Sequence, residues 1–328
     1  HPSPPSIPVF YALETDPIRD GEPSYILTSA DPARPELKHV VKPGWPFAKE
    51  PIDFREGRIE AFADWLTAAE NPLFARVAVN RLWQWHFGSG LHQQPSDFGT
   101  QVSVPVHRDL LDWLATEFVD SGYSMKHMHR IMVTSQAYQM ASDAGPAFDA
   151  SRQTDPNNEH YWKFPLKRLE AEVIWDAIHL AANRLDLGVG GASYTPASDS
   201  AIQRRGVYIT RGYSPSRNVT PNFLQTFDVD DGREPCPVRT QTVTAPQSLF
   251  LMNSPEVEKA SIEFADRVRK MAMDDLDEAT GLLYRLTLSR PPTEKETRVA
   301  KDYLQGDPQR LRHLAWLLFN LDEFLYVR

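Results

Sequence analysis

Proline is concentrated at the beginning of the chain, and this distribution limits what the chain can fold into. Eleven of its 27 prolines lie within residues 1–54 of the 328. A proline ring fixes φ and leaves the backbone without an N–H donor, so long helices do not form in such a segment. We predict a proline-rich extended segment over residues 1–54, with one strand at residues 24–28. This segment either wraps over the rest of the protein or forms a small β unit.

The remaining residues, 55–328, carry apolar side chains at helical spacing. Residues 188–244 interrupt this pattern with Gly, Ser, Thr and Pro, and contain one further strand candidate at residues 206–210. The predicted fold is therefore mainly α, an irregular multi-helix domain with a small β-containing insert. The predicted helices cover residues 72–87, 107–121, 124–140, 165–185, 245–273, 276–288, 294–304 and 310–320.

Composition excludes several classes of function. Acidic residues outnumber basic ones by 44 to 35, and a net charge of −9 does not favour binding to nucleic-acid phosphates. No apolar run reaches the ~20 residues of a membrane helix, so no span is predicted. The single cysteine, Cys236, excludes an intrachain disulfide and a Cys-rich zinc site. The chain begins at His1 without Met, which suggests a processed or truncated product.

The helix predicted at residues 72–87 mixes large apolar side chains with polar ones. Its apolar residues point in every direction, so we expect the helix to be buried on all sides. Buried charges need partners. The polar side chains therefore form either a pocket for a sugar ring or an anion, or an internal ion-pair network. The candidates on this helix are Arg76, Asn80, Arg81, Trp83 and His86.

The loop after this helix places glycines on both sides of Asp97. Glycine permits positive φ and close approach of a ligand, so Asp97 is a candidate base or metal ligand, or merely forms a turn. His107 begins the next predicted helix and is either a catalytic base or a cap-region residue.

One side of the helix predicted at residues 165–185 carries Arg168, Glu172, Asp176 and His179 at spacings of four, four and three. An Arg168–Glu172 ion pair on a structural helix is the favoured interpretation. The alternative is a metal-dependent enzyme that uses the two carboxylates and the histidine.

Arginines and aromatic residues alternate in the insert. The arginine fork binds carboxylate, sulfate or phosphate, and aromatic rings offer flat faces to sugars. Acidic residues in the same stretch could instead pair with the arginines internally. The arginines are Arg204, Arg205, Arg211, Arg217, Arg233 and Arg239, and the aromatic residues are Tyr208, Tyr213 and Phe223.

Several motifs resemble those of a known family. They are NPLFARVAVNRLWQWHFG at residues 71–88, PSDFG at 95–99, CPVR at 236–239 and SRPP at 289–292. The chain from about residue 55 resembles the C-terminal domain of unknown function 1553 in large planctomycete cytochrome C domain-containing proteins. The resemblance implies an extracytoplasmic location and a missing upstream domain that carries haem. Trp85 stands where the family pattern often has His, so that position is not expected to bind haem.

The favoured functional hypothesis is a secreted domain that binds, and in one version also processes, an extracellular and preferably anionic polysaccharide. Asp97 or Glu172 would act with His107 or His86 as acid and base. The alternative is a non-catalytic docking or scaffold module for a cytochrome-like domain or partner. No cofactor is expected in this chain. The binding candidates are Arg76, Asn80, Arg81, Trp83, Arg168, Arg205, Tyr208 and Arg239.

Overall fold

The structure, a computed structural model, confirms that the protein is mainly α-helical. The described residues form fourteen α-helices and two small antiparallel strand pairs. The predicted boundary between residues 54 and 55 lies outside the described residues. The structure describes residues 24–28, 34–41, 58–99, 102–143, 145–202, 204–211, 221–230, 232 and 235–327.

The chain divides into two compact units, of which the first comprises residues 1–79 and 110–124. Its described part contains an antiparallel pair in which Ser24 lies opposite Val41, so the strand predicted at residues 24–28 is confirmed. The elements that lie wholly or mainly in this unit are β1 (Ser24–Leu27), β2 (Pro35–Val41), α1 (Arg58–Thr67) and α3 (Arg108–Asp120), and the helix α2 (Phe74–Phe87) begins in it.

The second unit comprises residues 80–109 and 125–328. None of the helices in the described part of the chain is long and apolar enough to cross a membrane. The remaining elements are α4 (Met125–Thr134), α5 (Gln136–Gln139), α6 (Asp149–Thr154), β3 (Lys167–Arg168), α7 (Ala171–Ala181), α8 (Asn222–Thr226), α9 (Ala245–Asn253), α10 (Pro255–Met271), α11 (Leu276–Leu288), α12 (Glu294–Leu304), α13 (Leu311–Phe319), α14 (Asp322–Leu325) and β4 (Tyr326–Val327).

The core of the second unit is built around α10. Val257, Phe264 and Val268 recur at helical spacing on one face of this helix and are fully buried. This face packs against α7, α9, α11 and α13, and Phe264 stacks on Phe319 with 5.7 Å between ring centroids. Apolar burial of this kind is the main favourable term in folding. It fixes the helices from which the polar side chains described below project.

Three helix predictions were wrong in their bounds. The helix predicted at residues 124–140 is two helices, α4 and α5, because Ser135 is extended, with φ −68° and ψ 150°, and caps α5 by accepting the Tyr138 N–H. The helix predicted at residues 245–273 is two helices, because Pro255 lacks an N–H and disfavours helical backbone at Ser254, where φ is −70° and ψ is 122°. The helix predicted at residues 165–185 is only α7, because Lys167 and Arg168 pair with the end of the chain as strands β3 and β4. Sequence periodicity does not report such long-range pairing.

The strand predicted at residues 206–210 was also wrong. Gly206–Tyr208 form a single 3₁₀ turn, and only Ile209 makes an isolated bridge, to Tyr194. The cause is close packing on α7: a Cβ at Gly206 would lie 2.8 Å from Cβ of Glu172, and the Gly206 N–H donates to Asp176 Oδ1 at 2.7 Å. The backbone at residues 206–208 therefore forms a turn that packs against α7, and it does not continue as a strand.

Candidate functional site

An open cavity of about 720 Å³ in the second unit is lined by residues of three loop segments. Loop residues 89–94 and 102–107 line one part of it, and residues 156–166 contribute the rest. We call it the His107 cavity. Pockets for small ligands have volumes of roughly 300–1,000 Å³, so this cavity has the size of a small-molecule or oligosaccharide site.

His107, predicted as a catalytic or cap-region residue, lines this cavity. Its Nε2 lies 2.8 Å from the carbonyl oxygen of Glu159. Because a carbonyl only accepts hydrogen bonds, Nε2 must carry the hydrogen, and Nδ1 of the neutral ring is then an acceptor. The imidazole is thus oriented by the main chain with one basic nitrogen available for other hydrogen bonds.

Tyr161 lines the cavity beside His107, with 5.6 Å between ring centroids. Its hydroxyl accepts a 2.7 Å hydrogen bond from Nε1 of Trp83. Burial raises the pKa of Tyr161, although hydrogen bonds from Trp83 and Ser89 oppose the increase. Trp83 is itself stacked on Phe87 at 4.0 Å. Trp83, a predicted binding residue, therefore does not line the cavity but holds the Tyr161 hydroxyl in position.

Asn80, also predicted to bind ligand, is fully buried and holds the loop that lines the cavity. Its Nδ2 donates to the His92 carbonyl at 3.0 Å, and the His92 N–H donates to its Oδ1 at 2.7 Å. A Cβ at Gly90 would lie 2.6 Å from Asn80 Nδ2, so the loop needs glycine there. His92 in turn stacks on Phe98 at 4.3 Å. Asn80 is therefore a positioning residue for this loop.

Asp97, proposed as a base, does not line the cavity. It is exposed, and its Oδ1 accepts the Gly99 N–H at 2.8 Å, which is the turn-forming alternative. In the first unit, Arg76 forms an ion pair with Asp112, with Nε 2.6 Å from Oδ1. Arg81 is exposed.

The expectation that the helix at residues 72–87 is buried on all sides was wrong. Trp85 is 58% exposed, and Arg81 also faces solvent. A helix at a protein surface turns its charged residues, here Arg81, towards water. A tryptophan such as Trp85 can also lie partly in water, because its ring has a polar N–H group.

His86 does not line the cavity, but it belongs to an aromatic cluster that reaches Tyr161 through Tyr138 and Phe87. Its Nε2 is 2.8 Å from Nδ1 of His129, and its ring contacts Tyr138 edge-on at 5.6 Å. Burial, followed by the charges of His129 and Lys167, lowers the pKa of His86. The cluster holds α2 against α4 and α5 within the second unit.

Arg168 forms the centre of a buried polar network. It is 6% exposed, with Nη2 2.9 Å from Asp228 Oδ2 and Nη1 2.9 Å from Gln247 Oε1. Nη1 also donates to the Thr242 carbonyl, and the guanidinium lies over the Phe227 ring at 5.5 Å. The predicted Arg168–Glu172 pair was therefore wrong, because β3 turns Arg168 away from α7.

Glu172 instead binds two arginines of the insert. Its carboxylate is 2.7 Å from Arg239 Nη1 and 3.2 Å from Arg211 Nη2. Arg205 pairs with Asp176 at 3.4 Å. Tyr208 accepts the Gly190 N–H at 2.8 Å. Carboxylates thus pair with these insert arginines internally, while Arg217, Arg233 and Tyr213 lie outside the described residues.

The carboxylates and histidine of the metal-enzyme alternative do not converge. Glu172 and Asp176 face the arginines just described, whereas His179 is 1% exposed and lies against Trp175 at 4.5 Å. In the described part of the chain, no group of three or more His, Cys, Asp or Glu residues is placed to hold a metal.

His179 is expected to make the protein acid-sensitive. Burial, with a smaller contribution from the Arg184 charge, lowers the pKa of His179 from 6.5 to about 4. The unfolded chain therefore binds a proton at pH values where the folded protein does not, and stability falls as the pH drops from 6.5 towards 4. Linkage predicts a loss of about 2 kcal/mol between pH 7.5 and pH 5 from this residue. Urea unfolding at pH 7.5 and pH 5 measures the free energy of unfolding of H179L and of the unchanged protein. Between the two pH values, H179L should lose about 2 kcal/mol less of this free energy than the unchanged protein. Equal losses would contradict the assignment.

The sequence analysis does not predict Tyr161 or His92 as site residues. It also does not predict that residues 156–166, which include Tyr161, line the cavity. Residues 141–160 are rich in Ser, Asp, Asn and Pro, a composition typical of a loop, and none of them is a predicted site residue. One signal was present, since three ring-bearing residues, His160-Tyr161-Trp162, follow this polar stretch directly. Large aromatic residues at a loop end need burial, so they mark a loop that packs on the body of the protein.

A protein-family model matches most of the chain. The matched family is described as a protein of unknown function (DUF1553), and the match covers residues 58–304, which is 247 of 328 residues. No curated protein and no solved structure matches the chain.

Proposed function

The chain belongs to the DUF1553 family of proteins of unknown function, and we propose that it is a polysaccharide-binding domain whose binding site is the His107 cavity. The observation that carries this proposal is the convergence of His107, His92 and Tyr161 on one open cavity of about 720 Å³. Each of these side chains is held by a hydrogen bond or ring contact within the second unit. A preorganised site loses less conformational freedom on binding.

The chemistry of the lining suits a sugar polymer. Gln93, Gln94 and Asn157 contribute amide groups, which donate to and accept from hydroxyl groups. The rings of Tyr161 and His107 add flat faces against which a pyranose can lie. The cavity is open to solvent, so a segment of a longer chain can occupy it.

Lys163 favours a polymer with acidic sugars. It is the only Lys or Arg among the residues that line the cavity in the described part of the chain. Its ammonium group could pair with a uronic-acid carboxylate or a sulfate. The arginines Arg205 and Arg239 are already paired with Asp176 and Glu172. The preference for an anionic polymer is therefore assigned to the cavity and not to the insert.

H107A is expected to weaken binding of a galacturonic-acid hexamer at least tenfold, because the variant loses an oriented hydrogen-bonding ring. Isothermal titration calorimetry measures the affinity, with H39A as the matched control, since His39 is exposed on β2 in the first unit. K163M should weaken binding of the acidic hexamer but leave that of a neutral xylose hexamer unchanged. Unchanged affinity in H107A, or no binding of either hexamer by the unaltered protein, would contradict the proposal.

Extracytoplasmic location and association with a planctomycete cytochrome-like domain stay predictions based on the sequence resemblance. The docking-module alternative stays a prediction on the same basis. The same titrations bear on it, because a pure docking module has no reason to bind oligosaccharides at the His107 cavity.

A further inference from the structure

A second open cavity, of about 700 Å³, lies in the second unit and is lined by residues of α11, α12 and α13. We call it the Tyr303 cavity, and none of the described residues lines both this cavity and the His107 cavity. Its volume lies within the roughly 300–1,000 Å³ of small-ligand pockets. Six of its ten lining residues have apolar or aromatic side chains, namely Tyr284, Val299, Ala300, Tyr303, Leu314 and Leu317. A ligand that fills the cavity must therefore be largely apolar.

The apolar residues of this cavity form a buried floor and an exposed wall. Ala300 and Leu314 are buried in the floor, whereas Val299, Tyr303 and Leu317 are exposed. Val299 and Tyr303 are four residues apart and so lie on one face of α12. Exposed apolar surface of this kind, next to a hollow, marks a place where a ligand or partner binds.

The Tyr303 hydroxyl keeps its hydrogen for a ligand. Its oxygen lies 2.8 Å from Nδ1 of His313, and Nε2 of the same ring accepts a hydrogen bond from Nε of Arg312 at 3.3 Å. Because Nε2 is an acceptor, the hydrogen of the neutral ring is on Nδ1, which donates it to the tyrosine oxygen. The O–H hydrogen is therefore not used by His313, and no other described residue accepts it.

The charges around this cavity favour an anion. Arg312, which orients His313, is exposed and forms no ion pair with an acidic residue in the described part of the chain. Glu296 is the only acidic residue among the described residues that line the cavity, and both of its oxygens accept hydrogen bonds from Arg290 at 2.9 Å. Lys295 adds a positive charge to the lining. A carboxylate binds well where a hydroxyl and a guanidinium group donate together.

We propose that the Tyr303 cavity binds a fatty acid of medium chain length. The carboxylate accepts the hydrogen of the Tyr303 hydroxyl and pairs with Arg312. The hydrocarbon chain lies against Val299 and Leu317, above the buried floor. The eight residues from Tyr303 back to Lys295 span about 12 Å of α12, which leaves room for a chain of this length. This site is separate from the His107 cavity, so either proposal could fail without the other.

Isothermal titration calorimetry of the full chain at pH 7.5, with octanoate and with 1-octanol, tests the proposal. Octanoate should bind more tightly than 1-octanol, because only the carboxylate carries a charge that pairs with Arg312. Y303F should weaken octanoate binding at least tenfold, the usual effect of losing a hydrogen bond to a charged group. It should weaken 1-octanol binding less, since a hydrogen bond between neutral groups contributes less. Y303F should also bind the galacturonic-acid hexamer as the unaltered protein does, because Tyr303 does not line the His107 cavity.

L317D tests where the hydrocarbon chain lies. It should weaken octanoate binding at least tenfold, because the new carboxylate removes an apolar contact and repels the anion. The matched control is L249D, since Leu249 is 55% exposed on α9, against 56% for Leu317 on α13, and does not line the cavity. L249D should bind octanoate as the unaltered protein does. Y303F retains the aromatic ring, so it tests the same site independently of any folding defect in L317D.

Several results would overturn the proposal. They are no octanoate binding by the unaltered protein, equal affinity of Y303F and the unaltered protein for octanoate, and equal losses in L317D and L249D. Sedimentation equilibrium tests a second copy of the chain as the occupant. If the unaltered protein formed dimers that L317D dissociated and octanoate did not, a second copy would cover this face and the proposal would fail.

Discussion

Replacement of Arg168 by methionine is expected to lower the free energy of unfolding by about 3–5 kcal/mol, the usual result of removing one partner from a buried ion pair. Methionine fills part of the space but donates no hydrogen bond. Asp228 Oδ2, Gln247 Oε1 and the Thr242 carbonyl then lose their guanidinium donor. Asp228 keeps hydrogen bonds from Thr242 and Gln247, but its charge loses the only cation paired with it among the described residues while its side chain is only 17% exposed.

Urea unfolding at pH 7 measures this effect for R168M. The matched control is R285M, because Arg285 forms an exposed ion pair with Glu278 at 2.6 Å. Exposed pairs contribute about 0–1 kcal/mol. The double variant R168M/D228N should recover part of the loss, since it removes the unpaired charge. A loss in R168M no larger than that in R285M would show that the network does not stabilise the fold.

The pH dependence of this network has a defined sign. Burial alone would raise the pKa of Asp228, but hydrogen bonds from Thr242 and Arg168 and the Arg168 charge outweigh it and hold the pKa below its ordinary value. The stability that Asp228 contributes is therefore present above the ordinary pKa of an aspartate. It is lost as the pH falls through the lower, folded-state pKa.

Local signals in the sequence predicted the helical part of the fold well. Thr293 caps α12, because its hydroxyl oxygen accepts a hydrogen bond from the Glu296 N–H. The Glu296 carboxylate in turn accepts a hydrogen bond from the Thr293 N–H. Gly88 follows α2 with a φ of 87°, which ends the helix where the sequence predicts. These signals work because the groups that begin or end a helix lie within a few residues of it.

Contacts between residues that are far apart in the sequence determine the parts of the fold and of the candidate site that local signals do not predict. Arg168 and Asp228 are 60 positions apart in the sequence. The sequence favours Glu172 as the partner of Arg168, because Glu172 lies four residues after it on the same face of the predicted helix. The His107 cavity depends on residues 89–94, 102–107 and 156–166, which no helical or strand period connects. The sequence therefore indicates which polar residues need partners, but not which residues those partners are.

N80A is expected to lower the free energy of unfolding by about 2–4 kcal/mol, because Asn80 makes two hydrogen bonds to the buried backbone of His92. The variant leaves the N–H and the carbonyl of His92 buried without partners, and each unsatisfied group costs about 1–3 kcal/mol. N80D should be worse than N80A, because a carboxylate oxygen would face the His92 carbonyl oxygen that now accepts from Nδ2. Urea unfolding of both variants measures the difference.

The same substitution separates a positioning residue from a ligand-binding one. N80A should also weaken binding of the galacturonic-acid hexamer, because the loop that carries His92 loses its anchor. Q153A is the control, since Gln153 is an exposed amide residue on α6, and surface changes of this kind are usually within about 0.5 kcal/mol. If N80A bound the hexamer less tightly while keeping the stability of Q153A, Asn80 would contact the sugar directly. Loss of stability and affinity together is the result expected from two hydrogen bonds that hold one loop.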